Sequence, residues 1–187
     1  MSLVLLLSAP LVGAALLAVA RGTVARIVHV LATLVTAAAA AAVAVRVSQA
    51  GSVVALGGLL RADGLSAWMI GLVALVTVLA AVEAPHSVPA AAAGRFRPLF
   101  HLFVFTMLLA VGTDDVGLMW VAIEGTTLAS VFLVNLERSR ASLEAAYKYL
   151  LICSVGVAIA FIGTVLVYFA DVHQLGHEAH ALRWTTL

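Results

Sequence analysis

The sequence predicts an all-α protein, a polytopic transmembrane helix bundle of about six spans. Its composition points there first. Of 187 residues, 64% are hydrophobic and 10% charged, whereas a soluble domain is about half apolar and about 25% charged. Mean hydropathy is +1.17. The patterning agrees, since apolar stretches long enough to cross a bilayer as helices recur between short polar segments. A net charge of +1 points to neither nucleic acid nor an acidic ligand. The one cysteine, Cys153, lies in an apolar run, where it has no intrachain disulfide partner and serves as a small core residue. With no CxxC pair, Cys/His cluster or phosphate-binding glycine loop, no cofactor, metal or catalytic centre is expected in this chain.

Residues 1–187 are read as one transmembrane domain, with spans near 2–20, 27–47, 65–82, 98–111, 116–136 and 145–169 and a polar tail at 171–187. The first span carries no charge before Arg21. Ala18-Val19-Ala20 resembles a signal-peptidase site, but there is no basic n-region, so a retained span is expected. The second span includes the run Ala37–Ala42, which favours helix and lets a neighbour approach closely. His29, at its entry, is expected at the interface. The stretch Arg46–Gly64 is a loop whose apolar middle, Val53–Leu60, is too short to span and suits a strand or turn. Asp63 stands where a carboxylate caps the third helix, and Pro98 where proline suits the start of the fourth. His101, in the expected first turn of that helix, is either an interfacial hydrogen-bonder or a proton relay. Broken helices, which line ion sites in transporters, are not expected in any span.

The fifth span carries the chemistry. Within Val116–Leu136 the only ionisable side chain is Glu124, about 12 Å from the end that follows Asp114 and Asp115. A charge near the membrane midplane costs several kcal/mol unless it is paired, hydrated or protonated, so Glu124 is the leading functional residue. The alternative is a neutral glutamic acid hydrogen-bonding a neighbouring helix. Glu124, Thr127, Leu128 and Val131 fall on one helical face, with Thr127 placed to bond the acid or a water beside it.

Ser139 or Ser142 is positioned to cap the sixth helix. Glu144 and Lys148 are spaced as a favourable helical pair, and Lys148, between Tyr147 and Tyr149, either snorkels to the interface or joins a proton path. In the tail, His173, His177 and His180 raise a metal site, but His177-Glu178-Ala179-His180 is one residue short of the zinc-protease spacing, and a polar loop is expected. With an outside N-terminus the inner loops hold Arg21, Arg26, Arg95, Arg97, Arg138 and Arg140, against Arg46, Arg61 and Arg183 outside. The positive-inside rule then places both termini outside, in a bacterial inner membrane.

DDVGLMWVAIEGTTLASVFLV, followed by SLEAAYKYLLICSVGVAIAFIGTVLVYFA, resembles the antiporter-like membrane subunits of respiratory complex I, Mrp-type sodium/proton antiporters and membrane-bound hydrogenases, with hydrogenase-4 component F the nearest likeness. RADGLSAWMIGLVALV and PLFHLFVFTMLLAVGTDDVGLMW look like the family's third and its fourth and fifth helices. The resemblance implies that Glu124 occupies the position of the family's essential fifth-helix glutamate and Lys148 that of a sixth-helix lysine. A partner lysine on a broken seventh helix would lie beyond Leu187. The implied function is a contribution of Glu124, with Lys148, His101 and Thr127, to translocation of protons, or of Na⁺, within a complex I-like or hydrogenase complex whose redox centres sit in other subunits. A structural scaffold that docks a partner, or a membrane partner of an inorganic-carbon uptake complex, is the competing expectation.

Overall fold

The structure, a computed structural model, describes residues 2–175 and 182–185. Six helices account for most of it: α1 (Ser2–Val19), α2 (Gly22–Ala50), α3 (Gly64–Ser87), α4 (Ala93–Gly112), α5 (Val116–Val134) and α6 (Arg140–Leu175). All six are long and apolar enough to cross a membrane. The chain is an integral membrane helix bundle, as its composition predicts.

Four of the helix starts have a local cause. Asp63 Oδ1 accepts the Ser66 amide at 2.9 Å to open α3, and Asp115 Oδ1 accepts the Leu118 amide at 2.7 Å to open α5. At α6, Ser139 and Ser142 exchange amide-to-hydroxyl bonds of 3.0 Å, a reciprocal cap of the S-x-x-E type with serine in place of the acid. That cap starts α6 at Arg140, five residues before the expected position. The fourth helix also starts early. The Ala92 and Ala93 amides close a turn onto Pro89 O, so the helix begins at Ala93 and Pro98 lies inside it. His101 is therefore in the third turn, not the first. Continuous helices also run through Pro10 in α1 and Pro85 in α3.

Helices α1 to α4 form a ring in which α1 packs on α2 and α4, and α3 closes between α2 and α4; α5 packs on α4, and α6 on α5. In a bilayer, lipid is as apolar as the core, so association rests on close packing and interhelical polar contacts. Small residues supply the approach. A Cβ on Gly13 would stand 2.7 Å from Ala32 Cβ, and one on Gly125 would stand 2.9 Å from Thr106 Cγ2. Ala39 and Ala40, from the expected alanine run, are buried in the core with Leu3, Leu6, Val43, Ile70, Val104 and Leu108.

The loop after α2 is a hairpin, β1 (Val53–Ala55) with β2 (Leu60–Ala62), antiparallel with Val53 opposite Ala62. It bears out the expected strand or turn. Gly51 (φ 75°) ends α2 with its amide on Val47 O, and Gly57 (φ 66°) and Gly58 (φ 99°) turn the hairpin; glycine takes these left-handed angles without strain. Leu60 and Ala62 plug the ring. Against this end lie the α4–α5 turn and the tail. The Asp114 amide bonds Leu59 O at 3.0 Å, the Trp184 amide bonds Asp114 O at 2.7 Å, and the Thr185 hydroxyl donates to Asp114 Oδ2 at 2.8 Å. At the opposite end, Arg95 donates to Leu136 O at 2.8 Å. Alternate loops thus gather at opposite ends, as six spans require.

Candidate functional site

Glu124 lies about 12 Å along α5, in the middle of its length, and is half-buried. Its Oε2 is buried, with no hydrogen-bond partner among the described residues. Thr127 is buried beside it, but its hydroxyl donates to Ile123 O at 3.2 Å instead of to the acid. Thr126 and Ser130 bond back along α5 in the same way. The inward stripe also differs from the expected one. Ala122, Thr127 and Ala129 are buried and Gly125 meets Thr106, whereas Leu128 is exposed. Close approach to α4 selects the small side of the helix, and Leu128 is turned outward.

Lys148 is exposed, and its Nζ pairs with Glu144 Oε1 at 2.5 Å. The expected helical pair is present, and Lys148 makes no bond to Glu124. Val157 O, about two and a half turns further along α6, accepts the Trp120 indole N–H at 2.9 Å, and Trp120 packs against Phe161.

His101 is fully buried on α4. Its Nε2 lies 3.0 Å from Nδ1 of His29 on α2, and Phe100 packs edge-on to both rings. His29 is 6% exposed and is no interfacial side chain; it reaches across the ring to the helix diagonal to its own. His29 Nε2 and His101 Nδ1 are both buried without a partner among the described residues. Sequence reasoning missed this histidine, although a signal was present. His29, Thr33, Thr36, Ala40, Val43 and Val47 recur at alternating four- and three-residue steps and are all buried, the spacing of a helix packed along one seam. Thr33 and Thr36 turn their hydroxyls back onto His29 O and Ala32 O.

His29 of this pair borders a cavity of about 890 Å³ at the end of the bundle opposite the hairpin, lined also by Arg21, Arg26, Pro85, Phe96 and Arg97 among others. No group of three metal-ligating side chains occurs among the described residues. His173 stacks on Phe169, while His177 and His180 lie outside the described residues.

Residues 113–176, which include Glu124 and Lys148, match the family described as NADH:quinone oxidoreductase/Mrp antiporter, transmembrane. A hydrogenase-4 component F homolog from Methylacidiphilum infernorum is 38% identical over 92 residues, 49% of this chain and 19% of the relative. NADH-quinone oxidoreductase subunit N from Deinococcus radiodurans is 35% identical over 119 residues, 62% of this chain and 24% of the relative. The matched stretches thus span a quarter or less of these relatives. A chain in the structure of the membrane-bound sulfane sulfur reductase, an archaeal respiratory membrane complex, superposes with a TM-score of 0.81 at 22% identity, covering 90% of this chain and 37% of that one. The bundle therefore has the fold of that subunit, and the resemblance drawn from the α5 and α6 segments holds.

Proposed function

We propose that this chain is an antiporter-like membrane subunit, or a part of one, in a respiratory or hydrogenase-type energy-coupling complex, and that Glu124 carries protons across the middle of the bilayer. The observation that carries this is the buried, unpartnered Oε2 of Glu124 at mid-span. A carboxylate serving only as interhelical glue would bond the neighbouring helix; this one bonds none of the described residues. An ionised carboxylate in that position carries the cost of an uncompensated charge, which protonation removes and an approaching cation offsets. Alternation between the two loads and unloads the group.

The remaining residues have subsidiary roles. His101 extends the route toward the arginine-lined end, lying about 7 Å nearer that end than Thr106, which touches the α5 backbone beside Glu124. Thr127 shapes α5 next to the acid. Lys148, held by Glu144, is a mobile cation on α6 that acts once that pair opens. The transported ion is H⁺, with Na⁺ the alternative. The partners are further membrane subunits and the surrounding lipid of a bacterial inner membrane, with both termini outside on the arginine count.

Glu124→Gln keeps the volume and removes the titration. In a complex isolated through a tag on this chain, assembly on native gels and redox turnover are expected to persist. Dye-reported proton uptake into sealed vesicles is expected to fall at least about tenfold, the lower range for loss of one proton-transfer group. Undiminished uptake in an assembled Glu124→Gln complex would reject the role of Glu124 and promote the scaffold reading.

A further inference from the structure

The cavity beside His29 has a composition that the proton path does not use. Arg21, Arg26 and Arg97 line it with no carboxylate among the lining residues, and none of the three makes an ion pair among the described residues. Two helices begin at its wall. The N-cap of α2, Arg21, supplies no side-chain cap, whereas at α4 the Ala92 and Ala93 amides are taken up by Pro89 O and the Arg95 amide by Ala92 O. The remaining helices α3, α5 and α6 are capped by Asp63, Asp115 and the Ser139/Ser142 exchange, while α1 begins at the chain's start. Uncapped amides at a helix start carry a partial positive charge and bind anions. An independent observation points the same way. His29 is more than nine-tenths buried, lines the cavity and leaves Nε2 unpartnered.

We propose that this cavity binds an oxyanion of the phosphate class, held by Arg21, Arg26 and Arg97 and by the free amides at the start of α2, with His29 at its floor. Guanidinium groups suit such an anion because their planar fork matches two of its oxygens. The histidine pair then becomes part of the recognition. When His101 Nε2–H donates to His29 Nδ1, a neutral His29 keeps its one hydrogen on Nε2, a buried donor without a partner among the described residues; the opposite arrangement leaves a lone pair there. An occupied cavity selects the first arrangement. The same chemistry comes from two sources, the phosphodiester headgroup of an acidic lipid, which basic pockets between spans take up, or free inorganic phosphate.

The test uses the full chain in uncharged detergent, with phenylglyoxal modification of each arginine followed by mass spectrometry. The probes are short-chain phosphatidylglycerol and inorganic phosphate, with short-chain phosphatidylcholine as the zwitterionic control. At about ten times the Kd of a binding probe, modification of Arg21, Arg26 and Arg97 is expected to slow roughly tenfold, in proportion to occupancy, while Arg46 and Arg138 are unaffected. Protection by both anionic probes identifies a site open to free phosphate. Protection by phosphatidylglycerol alone identifies a headgroup site. Arg26→Gln/Arg97→Gln is expected to abolish the rise in thermal unfolding midpoint that the effective probe gives, and the labelling of the unaltered chain stands even where that variant does not fold. No protection by either anion, equal protection of Arg46 and Arg138, or equal protection by phosphatidylcholine would overturn the proposal.

Discussion

Replacing Gly13 by alanine tests the packing that holds the histidine pair. The added Cβ would lie 2.7 Å from Ala32 Cβ, against an optimal carbon–carbon contact of about 3.5–4.0 Å. The atom it meets is a Cβ fixed to the α2 backbone, so no rotamer relieves the clash and the two helices must part by roughly 1 Å. Overpacking of this kind costs about 1–3 kcal/mol. Alanine also brings a helix-propensity gain of about 0.8–1.0 kcal/mol over glycine, which masks part of the loss. Gly71→Ala removes that ambiguity, because nothing lies within 4 Å of the position its Cβ would take and only the propensity gain applies. The difference between the two variants therefore isolates the clash, and Gly13→Ala is expected to be about 1–3 kcal/mol less stable than Gly71→Ala. Reversible unfolding in mixed micelles of increasing dodecyl sulfate content, followed by circular dichroism, measures that difference. Variants equal within about 0.5 kcal/mol, the scatter of neutral substitutions, would show that α1 and α2 are not in contact at Gly13 as described.

Further outcomes follow from the caps and the loop arrangement. The Ser66 amide holds the Asp63 carboxyl below the usual carboxylate range, so its contribution is complete above an unfolded value near 3.9 and lost as pH falls through the lower folded value. Thermal melts of the parent and Asp63→Asn are thus expected to run parallel from neutral pH to about 5 and to converge or cross only below about 4, because asparagine caps without titrating. Asp63→Ala is expected to lose about 1 kcal/mol at neutral pH, measured in the same melts. For orientation, Ser139→Cys in a Cys153→Ser background is expected to react with membrane-impermeant thiol reagents from the cytoplasmic side and Thr113→Cys from the outside; the reverse pattern would invert the assignment from the arginine count.

The spans and the caps at Asp63 and Ser139 were legible because hydropathy and capping are local properties of the chain. Helix ends shifted where a preceding turn set the start, as Pro89 does for α4, and no rule about Pro98 alone anticipates that. Glu124 was legible as a lone acid in an apolar helix. Its neighbours were not, because a helical wheel weighs hydrophobicity and gave Leu128 to the interior, whereas contact with Thr106 required the smaller face of Ala122, Gly125 and Ala129. The His29–His101 pair joins residues 72 positions apart, and long-range pairing between diagonal helices leaves only a trace in one sequence. That trace, the seam of buried positions along α2, outweighs the position of His29 near a span's end.

The distribution of the core has a consequence for how the molecule is made. Every residue of the hydrophobic core cluster lies between Leu3 and Leu108, while in α6 Ala146 is the one buried side chain among the described residues. A ribosome that has delivered α4 to the insertion machinery has therefore delivered every partner that the core needs. The first four spans are able to close their ring in the bilayer, with the hairpin as its plug, while α5 and α6 are still being synthesised. Glu124 then enters the membrane beside an already assembled wall of α4, and Gly125 meets Thr106 in a groove that is already in place.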